Sequence, residues 1–233
     1  MYGYGYGYGF DWTYILVIIA ALLSIVASLN VKSTFNRYSR IRSMRGMTGA
    51  EVAQRILQEN GIYDVRVQHV SGSLTDHYDP RTQTVNLSDS VYSSSSVAAL
   101  GVAAHECGHV VQHETGYTPL KIRTALVPAA NIGSKIGIWV VILGLIMAFD
   151  PLTTIGIWLF SLAVLFQLVT LPVEFDASRR ALVMLGNYGI MGDDEVSSAR
   201  KVLFAAALTY VAAAAGSVLQ LLRLVILRNN RRD

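Results

Sequence analysis

The chain predicts a membrane α+β fold: about four transmembrane helices joined to a compact unit with a small antiparallel or mixed sheet and a helix carrying His105-Glu106-Cys107-Gly108-His109. Three observations lead there. Of 233 residues, 15% are charged and 52% hydrophobic, too apolar a balance for an ordinary soluble domain of this size. Apolar runs long enough to cross about 30 Å of hydrocarbon as helices recur along the chain. Between the first two of them lies a polar stretch with helix caps, short alternating runs and a turn.

Taken in order, residues 1–11 form a Tyr/Gly-rich tail; Tyr2 to Phe10 cannot pack a core, and the expectation is disorder with tyrosines favouring the membrane interface. Residues 12–29 form the first span, Trp12 to Leu29. No basic residue precedes it, so it is read as a retained anchor rather than a secretion signal. Lys32, Arg37, Arg40, Arg42 and Arg45 follow with no acidic residue among them, which places that side in the cytoplasm and the amino terminus outside. The same cations do not point to nucleic acid, because no recognition motif or aromatic platform accompanies them.

Residues 30–127 are expected to hold the catalytic region. Thr48-Gly49-Ala50-Glu51 fits a capping box, Val52, Ile56 and Leu57 make a helical apolar stripe, and Gly61 closes the helix. Tyr63 to Val70 reads as a strand. Leu74 to Tyr78 and Thr84 to Leu87 flank the turn Asp79-Pro80-Arg81-Thr82 as a hairpin. Ser93 to Ser96 offers cap hydroxyls to the helix that starts with the small-residue run Val97 to Ala104. Residues 128–171 form a transmembrane hairpin, Ala130 to Phe149 and Leu152 to Leu171, joined at Asp150-Pro151. Its Gly133 and Gly137 fit either a helix contact within the chain or a homo-oligomer surface. Residues 172–201 form a helix and polar loop on the inner side. Residues 202–233 comprise the last membrane segment, Val202 to Leu227, and a basic tail. Four complete crossings would put Arg228 to Arg232 outside against the charge rule, so either that bias is overridden or the last helix stops short. The single cysteine rules out an intrachain disulfide, in keeping with a reducing compartment.

The chemistry rests on His105 and His109. On a helix they lie within about 40° of each other one turn apart, so two imidazoles can share one metal ion. Glu106 projects beside the pair, where its carboxylate can take a proton from a metal-bound water. Cys107 falls on the opposite side and reads as a small buried hydrophobe, while Gly108 is expected to leave room for a substrate backbone. A catalytic zinc site needs a third protein ligand. His113 is about 12 Å along the axis from His105 and is excluded, as is Glu114. Asp76, His77, Asp193, Asp194 and Glu195 remain candidates. Glu174, where a helix begins or resumes after Leu171-Pro172, stands in a more ligand-like setting, although a first-turn acid stabilised by the helix dipole would look the same.

With these motifs in view the chain resembles the YugP-like neutral zinc metallopeptidases, a bacterial membrane family. The resemblance is carried by Lys32-Ser33-Thr34-Phe35, Gly46 to Ala53, Asp76-His77-Tyr78-Asp79-Pro80, Ala103 to His109 and Leu171 to Ser178. More distantly it is similar to membrane gluzincins of the HtpX and CAAX-prenyl-protease type. That resemblance implies a zincin-like catalytic unit, zinc held by His105, His109 and Glu174, and Glu106 as catalytic base. The distant relatives usually carry an Asp four residues after the ligand Glu, where this chain has Ser178; Asp176 points elsewhere on the helix. The function implied is a multi-pass membrane zinc endopeptidase acting on peptide or protein substrates at the cytoplasmic face, the lipid bilayer being its other partner. A donor for the oxyanion is expected, with His77 a weak candidate. The alternative is a noncatalytic, metal-stabilised membrane adaptor, which would have no use for Glu106.

Overall fold

The structure is a computed structural model that describes residues 11–230; the Tyr-Gly repeat expected to form a tail lies outside them. Six helices and three strands follow one another as α1 (Tyr14–Tyr38), α2 (Gly49–Glu59), β1 (Arg66–Val70), β2 (His77–Asp79), β3 (Thr84–Ser88), α3 (Val97–Glu114), α4 (Thr118–Ile146), α5 (Asp150–Asn187) and α6 (Asp193–Asn229). The protein is thus mostly helical with one small mixed sheet.

Local chemistry sets the compact part. Thr48 and Glu51 close a reciprocal capping box at the start of α2, the Thr48 hydroxyl accepting from the Glu51 amide. Ser96 caps α3 by accepting from the Ala99 amide at 3.2 Å. Gly61 lies at φ +70°, the left-handed conformation that lets the chain leave α2. β2 and β3 form the expected antiparallel hairpin, whereas β1 runs parallel to β3, so the order is β1-β3-β2 and β2 is an edge strand. Its three residues are fewer than the alternation from Leu74 suggests, because Leu74 itself turns to φ +57°. Val52, Ile56, Leu87, Leu100, Val110 and Leu185 are buried together in the core that joins α2, the sheet, α3 and α5.

Four helices, α1, α4, α5 and α6, are long and apolar enough to cross a membrane. Large apolar side chains stand exposed along them, among them Leu22, Val26 and Leu29 on α1, Trp139 and Ile146 on α4 and Trp158 on α5. Such a continuous apolar surface is a liability in water and suits hydrocarbon. The helix bounds depart from the apolar runs at several points. α4 begins at Thr118 and continues through Pro128, well before Ala130. The hairpin turns at Met147-Ala148-Phe149, with Asp150 and Pro151 already in the first turn of α5. α5 neither starts nor restarts at Glu174: it runs unbroken through Pro172, a tolerance common where neighbouring helices surround a membrane helix.

The last helix reaches the far end of the bundle. Arg228 donates to both oxygens of Asp150, at 2.8 and 3.0 Å, and Arg223 lies 4.3 Å over the Tyr14 ring. The carboxyl end of α6 therefore sits with the start of α1 and the α4–α5 turn, and α6 traverses the full bundle. Gly133 and Gly137 are used inside the chain: a β-carbon at Gly133 would clash with the Leu159 carbonyl oxygen, and one at Gly137 would meet the Phe160 nitrogen at 2.9 Å. Of the two readings of this glycine pair, the internal helix contact is the one observed.

Candidate metal centre

The two histidines come from one face of α3 and the carboxylate from α5, and a backbone crossing sets their register. At Gly108 an added β-carbon would meet the Ala177 carbonyl oxygen at 2.5 Å. Helices this close bring the residues flanking the contact together: His105 and His109 on one side, Glu174 and Ser178 on the other. The expectation that Gly108 leaves room for substrate is therefore corrected, since α5 fills that space.

His105 Nε2 and His109 Nε2 lie 3.3 and 3.6 Å from the same oxygen, Glu174 Oε2. Among the described residues this is the cluster of three His, Cys, Asp or Glu donors suited to a metal, all within 4.8 Å of one another. Donors held at zinc distances in a tetrahedral array are about 3.4 Å apart, which fits. Glu174 is 2% exposed, yet its Oε2 has no hydrogen-bond partner. A buried acceptor facing two imidazole nitrogens fits a metal cation.

The ring nitrogens facing away are anchored. His109 Nδ1 lies 3.0 Å from Gln112 Oε1, while the Gln112 amide nitrogen donates to the Val173 carbonyl at 2.8 Å and to Asp176 Oδ2 at 3.0 Å. With both amide hydrogens committed, Gln112 can only accept from His109, so the imidazole proton sits on Nδ1 and Nε2 is left with its lone pair. Asp176 is held in turn by Arg179 and Arg180. His105 Nδ1 meets Ser178 Oγ at 3.1 Å. Ser178 thus occupies the orienting position that its identity had put in doubt, and Asp176 acts at one remove through Gln112.

Other candidates are placed elsewhere. Asp76 spends both carboxylate oxygens on the Ser88 amide and hydroxyl, at 2.7 and 3.0 Å, and burial raises its pKa against those bonds. Glu195 caps α6 and accepts from the Met44 amide, and Asp193 and Asp194 lie in that same first turn. His113 stacks edge-on with Tyr78. His77 Nδ1 lies 2.9 Å from the Thr75 carbonyl and its Nε2 lies 3.3 Å from the Asn86 amide nitrogen, so both ring nitrogens are already engaged and neither is at hand for an oxyanion. Cys107 is fully buried against α2, and burial pushes its thiol pKa far up, which disfavours the thiolate a metal would need.

Two cavities meet at the centre. A chamber of about 610 Å³ runs along β2 and the first turns of α4, past His109 and Arg123. A smaller one of about 230 Å³ is walled by Val31, Leu74, Val102, Leu203 and Ala207. His105, Glu106, Glu174 and Tyr210 border both, so Glu106, itself 8% exposed, lies between the two cavities. Three residues here escaped the sequence reading. Gln112 carried a usable signal, one turn beyond His109; Tyr210 is a lone hydroxyl in an apolar run; Arg123 carried none.

In the metal-free protein, burial disfavours the His109 imidazolium, but the facing Glu174 carboxylate, the charge of Glu106 and the Gln112 contact outweigh it and raise the pKa above 6.5. A metal must displace that proton. Zinc affinity, followed by chelator competition, is accordingly expected to be full above the raised pKa and to fall about tenfold per pH unit below it. Affinity that stays flat well into the acid range would remove His109 from the ligand set.

Comparison with known proteins agrees with this chemistry. Residues 13–229 match the family model described as "Putative neutral zinc metallopeptidase". The chain is 47% identical over 221 residues to "Putative membrane protease YugP" of Bacillus subtilis (strain 168), a match covering 94% of this chain and 98% of that protein. No solved structure matches significantly.

Proposed function

The chain belongs to the neutral zinc metallopeptidase family, and from that premise we propose that it is a multi-pass zinc endopeptidase of the gluzincin type. In this reading the zincin-like unit lies on the cytoplasmic face of the cell membrane, and His105, His109 and Glu174 hold the metal. The observation that carries this is the open Glu174 oxygen facing the Nε2 atoms of both histidines, that of His109 with its proton turned away. Zinc bound there would polarise a substrate carbonyl and lower the pKa of a water toward neutrality.

The chain's own residues do the rest. Glu106 takes the proton from the attacking water and passes it to the leaving amine. An extended peptide adds to the free edge of β2, so that main-chain hydrogen bonds hold substrates of varied sequence. Tyr210, which lines both cavities beside Glu106 and Glu174, is the O–H donor at hand for the oxyanion. A metal-stabilised adaptor would not require a base buried at the junction of two cavities. The basic residues at and beyond the carboxyl end of α1 support placing that end in the cytoplasm, and the exposed apolar helices support the bilayer around them.

The test uses full-length protein in detergent with an unstructured protein as substrate. Cleavage is expected, with loss on chelation and recovery when zinc is restored. Cleavage that survives stripping to below one-tenth of an equivalent of zinc, on the order of what trace metal supplies, would defeat the reading.

A further inference from the structure

We propose that Arg123, on the first turns of α4, is a positioning residue that holds one oxygen of Glu174 so that the other alone is presented to zinc. The inference rests on the metal reading above. Arg123 Nη1 donates to Glu174 Oε1 at 3.2 Å, while Oε2 accepts no hydrogen bond and faces the two Nε2 atoms. The two oxygens of one carboxylate are thereby given different work. With Oε1 engaged, chelation through both oxygens is disfavoured, and a position stays open for water, as catalytic zinc requires.

The same contact completes the anchoring of the ligand set. His105 is oriented by Ser178 and His109 by Gln112, both from the helices that carry the ligands. Glu174 is oriented from α4 instead. Around Arg123 that arm faces outward, with Lys121, Ile122, Thr124 and Ala125 exposed, whereas the Arg123 side chain is turned inward and 29% exposed. Charge favours the arrangement as well. Glu106 and Glu174 set two buried carboxylates beside one dication, and the guanidinium supplies a further cation without competing for the metal. The membrane hairpin is therefore part of the metal site through its inner end.

The experiment measures metal rather than turnover, in full-length protein carrying Glu106→Gln. Zinc affinity is read by chelator competition, and the ligand field by the absorption of the cobalt(II)-substituted protein. Arg123→Gln is expected to weaken zinc by about 10- to 100-fold and to shift the cobalt bands toward the weaker absorption of higher coordination numbers. Arg123→Lys should restore most of the affinity, and Lys121→Met on the exposed face should match the parent. Arg123→Met serves as the uncharged variant if the glutamine form does not fold. An uncharged variant that binds zinc within about twofold of the parent, with the same cobalt spectrum, overturns the proposal while leaving the zinc site standing. Protein that binds no zinc with Arg123 intact overturns both.

Discussion

Exchanging Glu106 for Gln is expected to lower peptide cleavage by about 10²- to 10⁴-fold while leaving zinc bound. The amide has nearly the shape of the carboxylate but cannot take a proton from water. The three donor atoms that converge belong to His105, His109 and Glu174, so the metal loses no ligand. Glu106 is buried at the meeting point of both cavities, where a carboxylate would be costly to keep without a use. Zinc content and initial rate, measured on the same preparation, separate the two effects. A variant that cleaves within about tenfold of the parent would move the base elsewhere, and one that loses its zinc would make Glu106 a metal residue.

The histidine pair was legible because the helical period alone brings residues four apart onto one face, and no tertiary information is needed for that. Glu174 was harder. Its meeting with His105 depends on a hairpin of two membrane helices returning at one register, and no local pattern reports a register. The resemblance to known peptidases supplied what periodicity could not. Asp176 points away from Glu174's face, which excludes a direct contact; a glutamine one turn beyond His109 carries its influence across to the imidazole. The helix ends differ from the apolar runs for a common reason. Apolar runs mark only the part of a helix in hydrocarbon, whereas α6 starts at Asp193 and packs Ala199, Val202 and Leu203 on the compact unit before it enters that region. α4 likewise extends outward to bring Arg123 to the centre.

Gly108 faces a neighbouring helix rather than substrate, and the second large effect follows from that. A β-carbon at this position would press against the carbonyl oxygen of Ala177, a backbone atom that cannot rotate aside. Gly108→Ala is therefore expected to push α3 and α5 apart, at a cost of roughly 1–3 kcal/mol or more for overpacking. The damage should not stay with stability. Ala177 lies between Glu174 and Ser178, so any shift at the crossing moves Glu174 and the partner of His105 together. Zinc affinity and the thermal midpoint in detergent should fall together. Gly101 provides the contrast on the same helix: its β-carbon would meet the Ala199 methyl at 3.4 Å, an ordinary contact. Gly101→Ala should be tolerated and gain up to about 1 kcal/mol of helix propensity. If Gly108→Ala were as stable and as tightly metallated as Gly101→Ala, the crossing would not set the geometry of the centre, and the separation of Glu174 from the histidines would have to be fixed by the side-chain contacts of Gln112, Ser178 and Arg123 alone.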